Sequence, residues 1–323
     1  MPSSAKPKKL FVSNRSRAFP GKIAICGGAG RLGRLAVRRL HRTDEVTVID
    51  ARLFENRPAD VEHLRSELVR KETRNLFRRR HVNAVVYLGP HYGETMDVYD
   101  DEWTSRSIEG FARLLEYCNR YDVGKVVVMS SADIYGARAH NPQFLTEEAP
   151  LLGNGMAALR DIDMMAQSFF WKRPDVETVI LRPAHLVGDV AGVMCRYLRM
   201  PVVPRLAGYD PMIQLLHEED AIEAVRLALC PGKRGIFNLA GISPIPLSRI
   251  IERLGRRSVP VPYALARPLL AQLRLVGRGA DLAGHIDYVR YVCMVDDSRA
   301  RQVLGYSPIH DIESTLAGVD LWT

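Results

Sequence analysis

The chain has 323 residues, 47% of them hydrophobic, enough for one large α/β domain or a domain with a smaller lobe. Lys plus Arg number 45 against 37 Asp plus Glu, a formal net charge of +8 that suits phosphorylated ligands, nucleic acid or an anionic surface without choosing among them. Five scattered cysteines with no C-x-x-C exclude a disulfide framework and a zinc site, and no apolar run approaches the roughly 20 residues that span a bilayer.

Residues 1–20 are polar, basic and rich in Ser and Pro, which reads as a flexible tail without the apolar stretch of a secretory signal; with the cysteine usage this points to the cytoplasm. An apolar run, Ile23-Ala24-Ile25, then leads into Gly27-Gly28-Ala29-Gly30-Arg31-Leu32-Gly33 and an amphipathic helix with Leu32, Leu35, Ala36 and Leu40 on one face. A second apolar run, Val46–Ile49, ends in Asp50. Strand, glycine turn, helix, strand and acid at this spacing form a dinucleotide-binding fingerprint. Gly27 permits the tight turn, Gly30 lets the backbone approach a pyrophosphate, and Gly33 lets the helix pack on the strand. The helix start offers N–H groups to phosphate, and Asp50 can accept hydrogen bonds from ribose hydroxyls while repelling a 2′-phosphate, which favours NAD over NADP. Arg31 and Arg52 lie near enough to attract such a phosphate, although solvated cations are common in so arginine-rich a chain.

Further along, the pattern predicts a third strand near Val61–Arg65, a charged helix near 70–80, a buried strand Ala84–Leu88 ending at Gly89-Pro90, and a helix near 102–120 burying Phe111, Leu114, Leu115 and Cys118. Next come a strand Lys125–Met129 ending in Ser130-Ser131, a helix near 156–171 and a strand Val176–Leu181 ending in Arg182-Pro183. The alternation implies a Rossmann-type, doubly wound parallel sheet with its ligand at the carboxyl ends of the strands, around Gly27, Asp50, Gly89, Ser131 and Arg182. Prolines then become frequent and the elements shorter. The expected division is a tail over 1–20, a dinucleotide-binding domain over 21–182, and a substrate lobe over 183–323 interleaved with returning core elements. Met164, Met165 and Met194 read as core, His217 as a helix start, and the apolar stretch 262–278 as a lobe helix.

From about residue 21 to the C-terminus these features resemble the extended short-chain dehydrogenases, the NAD-dependent epimerase/dehydratase family. Val127–Gly136 is similar to that family's strand-five signature, with Ser131 at the hydroxyl that bonds substrate. Leu216–Ala221 matches its His-x-x-Asp stretch, Gly235–Gly241 its G-x-x-N-x-x-G pattern, and Asp296 with Leu304–Pro308 its C-terminal signature. The resemblance implies NAD as cofactor and transient hydride transfer on a nucleotide-linked sugar. It implies Ser131 and Arg160 as catalytic residues, with Gly27, Gly30, Arg31, Leu32, Gly33, Asp50, Arg52, Glu67, Leu88, Gly89 and Arg160 holding the cofactor. It also implies a homodimer through the helices near 102–120 and 156–171.

The departures are informative. The family uses a Tyr-x-x-x-Lys pair, a phenol tuned by a nearby cation. No tyrosine occurs here between Tyr135 and Tyr197, and the best register puts Met156 at the tyrosine and Arg160 at the lysine. Ser66-Glu67 replaces Gly-Asp near the adenine, Gly89-Pro90 replaces Ala-Ala, and Ser107 replaces an Asn. Tyr121 and Lys125 have the right spacing at the wrong end of the sheet. His91, Tyr92 and His185 stand on the crevice side as alternative acids or bases; a surface loop and a structural histidine are their plainer readings. A non-catalytic dinucleotide-binding sensor or structural protein is the alternative to an enzyme. RNA binding on the same scaffold is a weaker one, since no basic-aromatic interleaving is present to stack bases; no nucleic-acid partner and no metal are expected.

Overall fold

The computed structural model describes residues 21–89, 101–153, 157–190, 192–266, 268 and 285–320. The tail, Pro90, His91, Tyr92, Met156 and most of the 262–278 stretch lie outside the described residues.

Seven strands make the main sheet: β1 (Lys22–Cys26), β2 (Glu45–Ile49), β3 (Glu62–Leu64), β4 (Val82–Tyr87), β5 (Lys125–Met129), β6 (Glu177–Pro183) and β11 (Gly235–Leu239). Their spatial order is β11-β6-β5-β4-β1-β2-β3 and every pairing is parallel. Strands buried on both faces need apolar residues throughout rather than in alternation, and Ile23–Ile25, Val85–Val86 and Val126–Met129 are fully buried. The strand order reverses between β1 and β4, which opens a crevice at their carboxyl ends.

Helices cover both faces. On one, α1 (Arg31–Leu40) and α6 (Glu218–Ala228) bury Leu32, Ala36, Leu40, Ile222 and Val225 against Ile23, Ile25 and Val127. On the other, α2 (Lys71–Arg79), α3 (Asp101–Arg120) and α4 (Ala157–Lys172) bury Phe77, Phe111, Leu114, Ile162 and Phe169. The predicted elements fall within a few residues of these bounds. Met164 departs from expectation: it is 52% exposed, because the buried stripe of α4 runs through Leu159, Ile162, Ala166 and Phe170 and leaves Met164 on the outer face. Met165 is partly buried and Met194 buried.

After β6 the chain leaves the sheet. It forms β7 (His185–Val187), α5 (Val193–Leu198), β8 (Val202–Leu206), β9 (Met212–Ile213) and β10 (Leu215–His217) before α6 and β11 rejoin the main layers. It then adds β12 (Ile245–Pro246), α7 (Leu247–Arg253), β13 (Arg257–Val261) and α8 (Ile312–Ala317). Three two-stranded pairs, β10 with β7, β12 with β9 and β13 with β8, frame this lobe around Cys195, Leu198, Ile213, Leu247, Ile250 and Ile286.

A buried polar network ties β6 to α4, to β11 and to the segment between β5 and α4. Arg182, 1% exposed, makes a two-pronged ion pair with Asp163 on α4, Nε to Oδ2 at 3.0 Å and Nη2 to Oδ1 at 2.7 Å. Its Nη1 donates to the Tyr135 hydroxyl at 2.8 Å and the Glu147 carbonyl at 3.0 Å. Tyr135 in turn donates to Asn238 Oδ1 on β11 at 2.8 Å. A buried charge is tolerable only when it is paired and hydrogen-bonded, and each of the three guanidinium nitrogens of Arg182 has a partner.

Candidate functional site

The β1–α1 turn is built so that only glycine fits. Gly27 has φ of 86°, and a Cβ on Gly33 would stand 2.2 Å from the Gly27 carbonyl oxygen and 2.6 Å from the Gly28 Cα. α1 therefore starts directly against the strand end. Its N-cap, Gly30, has no side chain to satisfy the first-turn N–H groups, which leaves that end suited to an anion. Leu32 is buried beneath the turn, so its backbone is the only part available to a ligand. Gly89, just past β4 with Leu88, lies across the crevice; its carbonyl oxygen would be 2.9 Å from a Cβ on Gly27. The Leu88 N–H donates to the Cys26 carbonyl at 3.1 Å, extending the ladder to the crevice edge.

Asp50 ends β2 with its carboxylate turned into the glycine turn. Oδ2 accepts the Ala29 N–H at 3.0 Å and Arg52 Nη2 at 2.9 Å; Oδ1 accepts the Arg52 N–H at 3.0 Å and Nε at 3.1 Å. The Arg52 guanidinium also lies against Gly30, 2.9 Å from where a Cβ would be. A carboxylate has about four lone-pair positions. All are taken, two by backbone and two by a half-exposed guanidinium that a ribose can displace. The glycine cradle and the carboxylate at its edge thus fit the adenosine half of a dinucleotide once Arg52 swings aside. Arg31 donates to the Asp189 carbonyl at 2.9 Å and pairs with its carboxylate, tying the turn to the loop after β7. Glu67 follows β3 and pairs with Arg70 at 3.5 Å, while its carbonyl accepts the Thr73 hydroxyl at 2.8 Å.

Further along the same edge, Ser131 ends β5 and caps a 3-10 turn, Ala132–Ile134, its Oγ accepting the Asp133 N–H at 3.1 Å. Arg160, in the first turn of α4, reaches the Gly153 carbonyl at 3.4 Å, and Gly153 donates to Ile134 at 2.8 Å. Arg160 and Ser131 are thereby joined to one loop. Tyr135 is unsuited to proton transfer: burial pushes its pKa up to about 12, against the pull of Arg182, and its hydroxyl is committed to Arg182 and Asn238. Lys125 and Glu177 pair at the amino end of the sheet, away from the crevice.

The chain belongs to the NAD dependent epimerase/dehydratase family. That family's model matches residues 23–240, the whole stretch from β1 through β11. An uncharacterized protein of Mycobacterium tuberculosis is 29% identical over 305 residues, covering 90% of this chain and 81% of that protein. A dTDP-glucose 4,6-dehydratase from Bacillus anthracis, solved in complex with NAD, is similar in structure with a TM-score of 0.70 at 17% identity, covering 93% of this chain and 96% of that one. A UDP-glucose 4-epimerase from Thermotoga maritima, solved with UDP-glucose, has a TM-score of 0.69 at 17% identity over 93% and 98% of the two chains. At such identities the likeness speaks to the fold.

In this family member a second group, not anticipated as a set, gathers past Ser131. Asp133 Oδ1 lies 3.4 Å from Nδ1 of His185, the first residue of β7. The Tyr288 hydroxyl donates to the Asp133 carbonyl at 2.6 Å, and its ring meets His185 edge-on at 5.5 Å and tilts against His285 at 5.6 Å. Burial lowers the His185 pKa below its ordinary 6.5, against the opposing pull of Asp133. These groups line a cavity in the lobe walled by Val193, Met194, Leu206, Val261, Ile286 and Val289. His185 is visible in sequence from its place after Arg182-Pro183; His285 and Tyr288 have no motif, and only the fold brings them back to Asp133.

The His-x-x-Asp stretch is structural. His217 caps α6, its Nδ1 accepting the Glu219 N–H at 3.2 Å. Asp220 takes the Ile309 and His310 N–H groups at 3.0 and 3.3 Å, pinning the C-terminal segment. Ligand atoms of His217, Glu219 and His310 come within 4.8 Å of one another. The two imidazoles, however, stack face to face at 3.8 Å, and His217 directs Nδ1 at backbone.

Proposed function

We propose that this protein binds NAD across the β1–α1 turn and carries out hydride transfer at a hydroxyl-bearing carbon of a substrate held in the C-terminal lobe. One observation carries this reading: the glycine cradle, into which no Cβ fits, meets the Asp50 carboxylate at its edge. Gly27, Gly30 and Gly33 let backbone approach the pyrophosphate, the N–H groups of the first turn of α1 face it, and Asp50 holds the adenosine ribose. Arg31 and Glu67 flank this half, Leu88 and Gly89 close it from β4, and Arg160 supports the nicotinamide ribose. NAD supplies the hydride acceptor when bound. Ser131 orients the substrate oxygen, and neutral His185, steadied through Nδ1 by Asp133, takes the hydroxyl proton that the family's tyrosine takes elsewhere.

The nucleotide-linked sugars named for the solved neighbours supply the first substrates to try, in an epimerase or dehydratase sense. Calorimetry with NAD, followed by absorbance at 340 nm with a panel of nucleotide sugars and neutral alcohols, tests the reading. NAD binding with stoichiometric NADH formation is expected for the right substrate. No NAD binding would sink it. Tight binding with no absorbance change across the panel would favour the non-catalytic sensor, which the absence of any tyrosine between Tyr135 and Tyr197 also favours. The outer faces of α3 and α4 we assign to self-association as a homodimer, on the exposed Met164 and Trp171.

A further inference from the structure

We propose that Asp189 competes with the diphosphate of the bound dinucleotide for the Arg31 guanidinium, and so sets how tightly the cofactor is held. The inference deepens the NAD-binding reading of the glycine turn and rests on it for the identity of the ligand.

Arg31 is the first residue of α1, beside the N-cap Gly30, so its side chain leaves the helix at the end where the unsatisfied N–H groups gather. A diphosphate drawn to that end comes within reach of the guanidinium, whose fork of donors matches phosphate oxygens. In the structure the same group is engaged elsewhere. Its Nη1 donates to the Asp189 carbonyl at 2.9 Å and pairs with the Asp189 carboxylate.

The fold fixes Asp189 from both sides. Gly188 before it lies flush against the start of α6, where a Cβ would stand 2.2 Å from Glu218 Cδ, and its carbonyl accepts Arg199 Nη2 at 2.8 Å. Val190 after it donates its N–H to Glu218 Oε2 at 3.1 Å and is fully buried in the same core as Ala29 and Leu32. The long Arg31 side chain is therefore the partner that can turn. Two anions face one cation: a diphosphate must take Arg31 from Asp189 and then lie near a carboxylate stripped of its partner. Asp189 is about half exposed, so the penalty is that of a surface pair, enough to tune affinity without abolishing it. Arg52 obstructs the ribose hydroxyls; Arg31 concerns phosphate alone, which gives the two devices different ligand signatures.

Calorimetric titration of the full chain with adenosine, ADP and NAD is the test. The natural chain should bind ADP more tightly than adenosine. Asp189→Asn, which keeps the shape and drops the charge, should tighten ADP and NAD about threefold and leave adenosine within about twofold. Arg31→Met should weaken ADP about fivefold or more, and adding Asp189→Asn to it should then raise ADP affinity by less than about 1.5-fold. ADP affinity unchanged or lowered by Asp189→Asn, or raised as much in the Arg31→Met background as in the natural one, overturns the proposal. If Arg31→Met also loses adenosine affinity, its fold is disturbed and Arg31→Gln takes its place. NAD binding that ignores Asp189→Asn overturns the proposal alone. The expected ADP pattern in a chain that does not bind NAD overturns the hydride-transfer reading and leaves the competition for Arg31 standing, whereas binding of neither ADP nor NAD overturns both.

Discussion

Asp50 and Arg52 show how the proposed cofactor pocket is kept closed by its own neighbour. The guanidinium fills the carboxylate positions a ribose would use, so binding must break two side-chain hydrogen bonds. Arg52 is about half exposed and such a pair contributes only about 0.2–1 kcal/mol. Arg52→Ala is therefore expected to tighten NAD up to about fivefold and to weaken NADP, whose 2′-phosphate loses a cation; Asp50→Ala should weaken NAD and narrow the NAD/NADP preference. Calorimetric titration of both variants with both cofactors checks this, and unchanged affinities would remove the pair from the site. His217 offers a second residue-scale check. Burial first, then neighbouring His310, lowers its pKa, although Glu219 and Asp220 pull the other way. A depressed folded pKa means stability is complete above the ordinary 6.5 and declines as pH falls through the folded value. Asn at this position keeps a cap and has no charge to gain. The melting temperature of His217→Asn should fall less than that of the natural protein between pH 7.5 and 5.5; parallel slopes would show that His217 contributes nothing to acid sensitivity.

At the scale of elements, the junction of β1, its glycine turn and α1 is one of the least forgiving parts of the molecule. Gly33→Ala would press a methyl into the Gly27 carbonyl and the Gly28 backbone, which neither flexible side chains nor rotamers can relieve. Overpacking of this kind costs about 1–3 kcal/mol. The expected result is a melting point lowered by several degrees together with at least tenfold weaker NAD binding; a variant with normal stability and affinity would show that α1 is free to move. This junction was legible in the sequence because its requirements are local: glycine spacing, an apolar stripe and an acid at a strand end. The parallel sheet was legible for the same reason, its strands being short continuous apolar runs such as Val126–Met129. Met164 was misread because a methionine beside a buried stripe looks the same on either face of a helix. The Asp133, His185, His285 and Tyr288 cluster was not read as a set because it joins residues from the turn after β5, the start of β7 and the segment near 285–288. Nor was the Arg182–Asp163 pair, whose partners belong to a strand and a helix with no periodic signature linking them.

Across the whole molecule, α4, which packs beside α3 on one face of the sheet, leaves two large apolar side chains exposed among the described residues. Trp171, 74% exposed, and Met164, 52%, are seven positions apart on α4 and so share a face. Trp171→Glu is expected to convert a dimer to a monomer in sedimentation velocity at micromolar concentration, with circular dichroism unchanged. A natural protein that sediments as a monomer would refute the assembly. The placement of β11 has a different consequence. β6 ends at Pro183, yet the strand that covers its outer edge begins only at Gly235, after much of the lobe has been made. While the polypeptide is emerging from the ribosome, β6 is the border of an unfinished sheet, and its Val179–Leu181 stretch, wholly enclosed in the finished protein, has bare backbone along that side. The nascent chain therefore passes through a sticky interval that closes when residues 235–239 arrive, and any pause in translation within the lobe prolongs it.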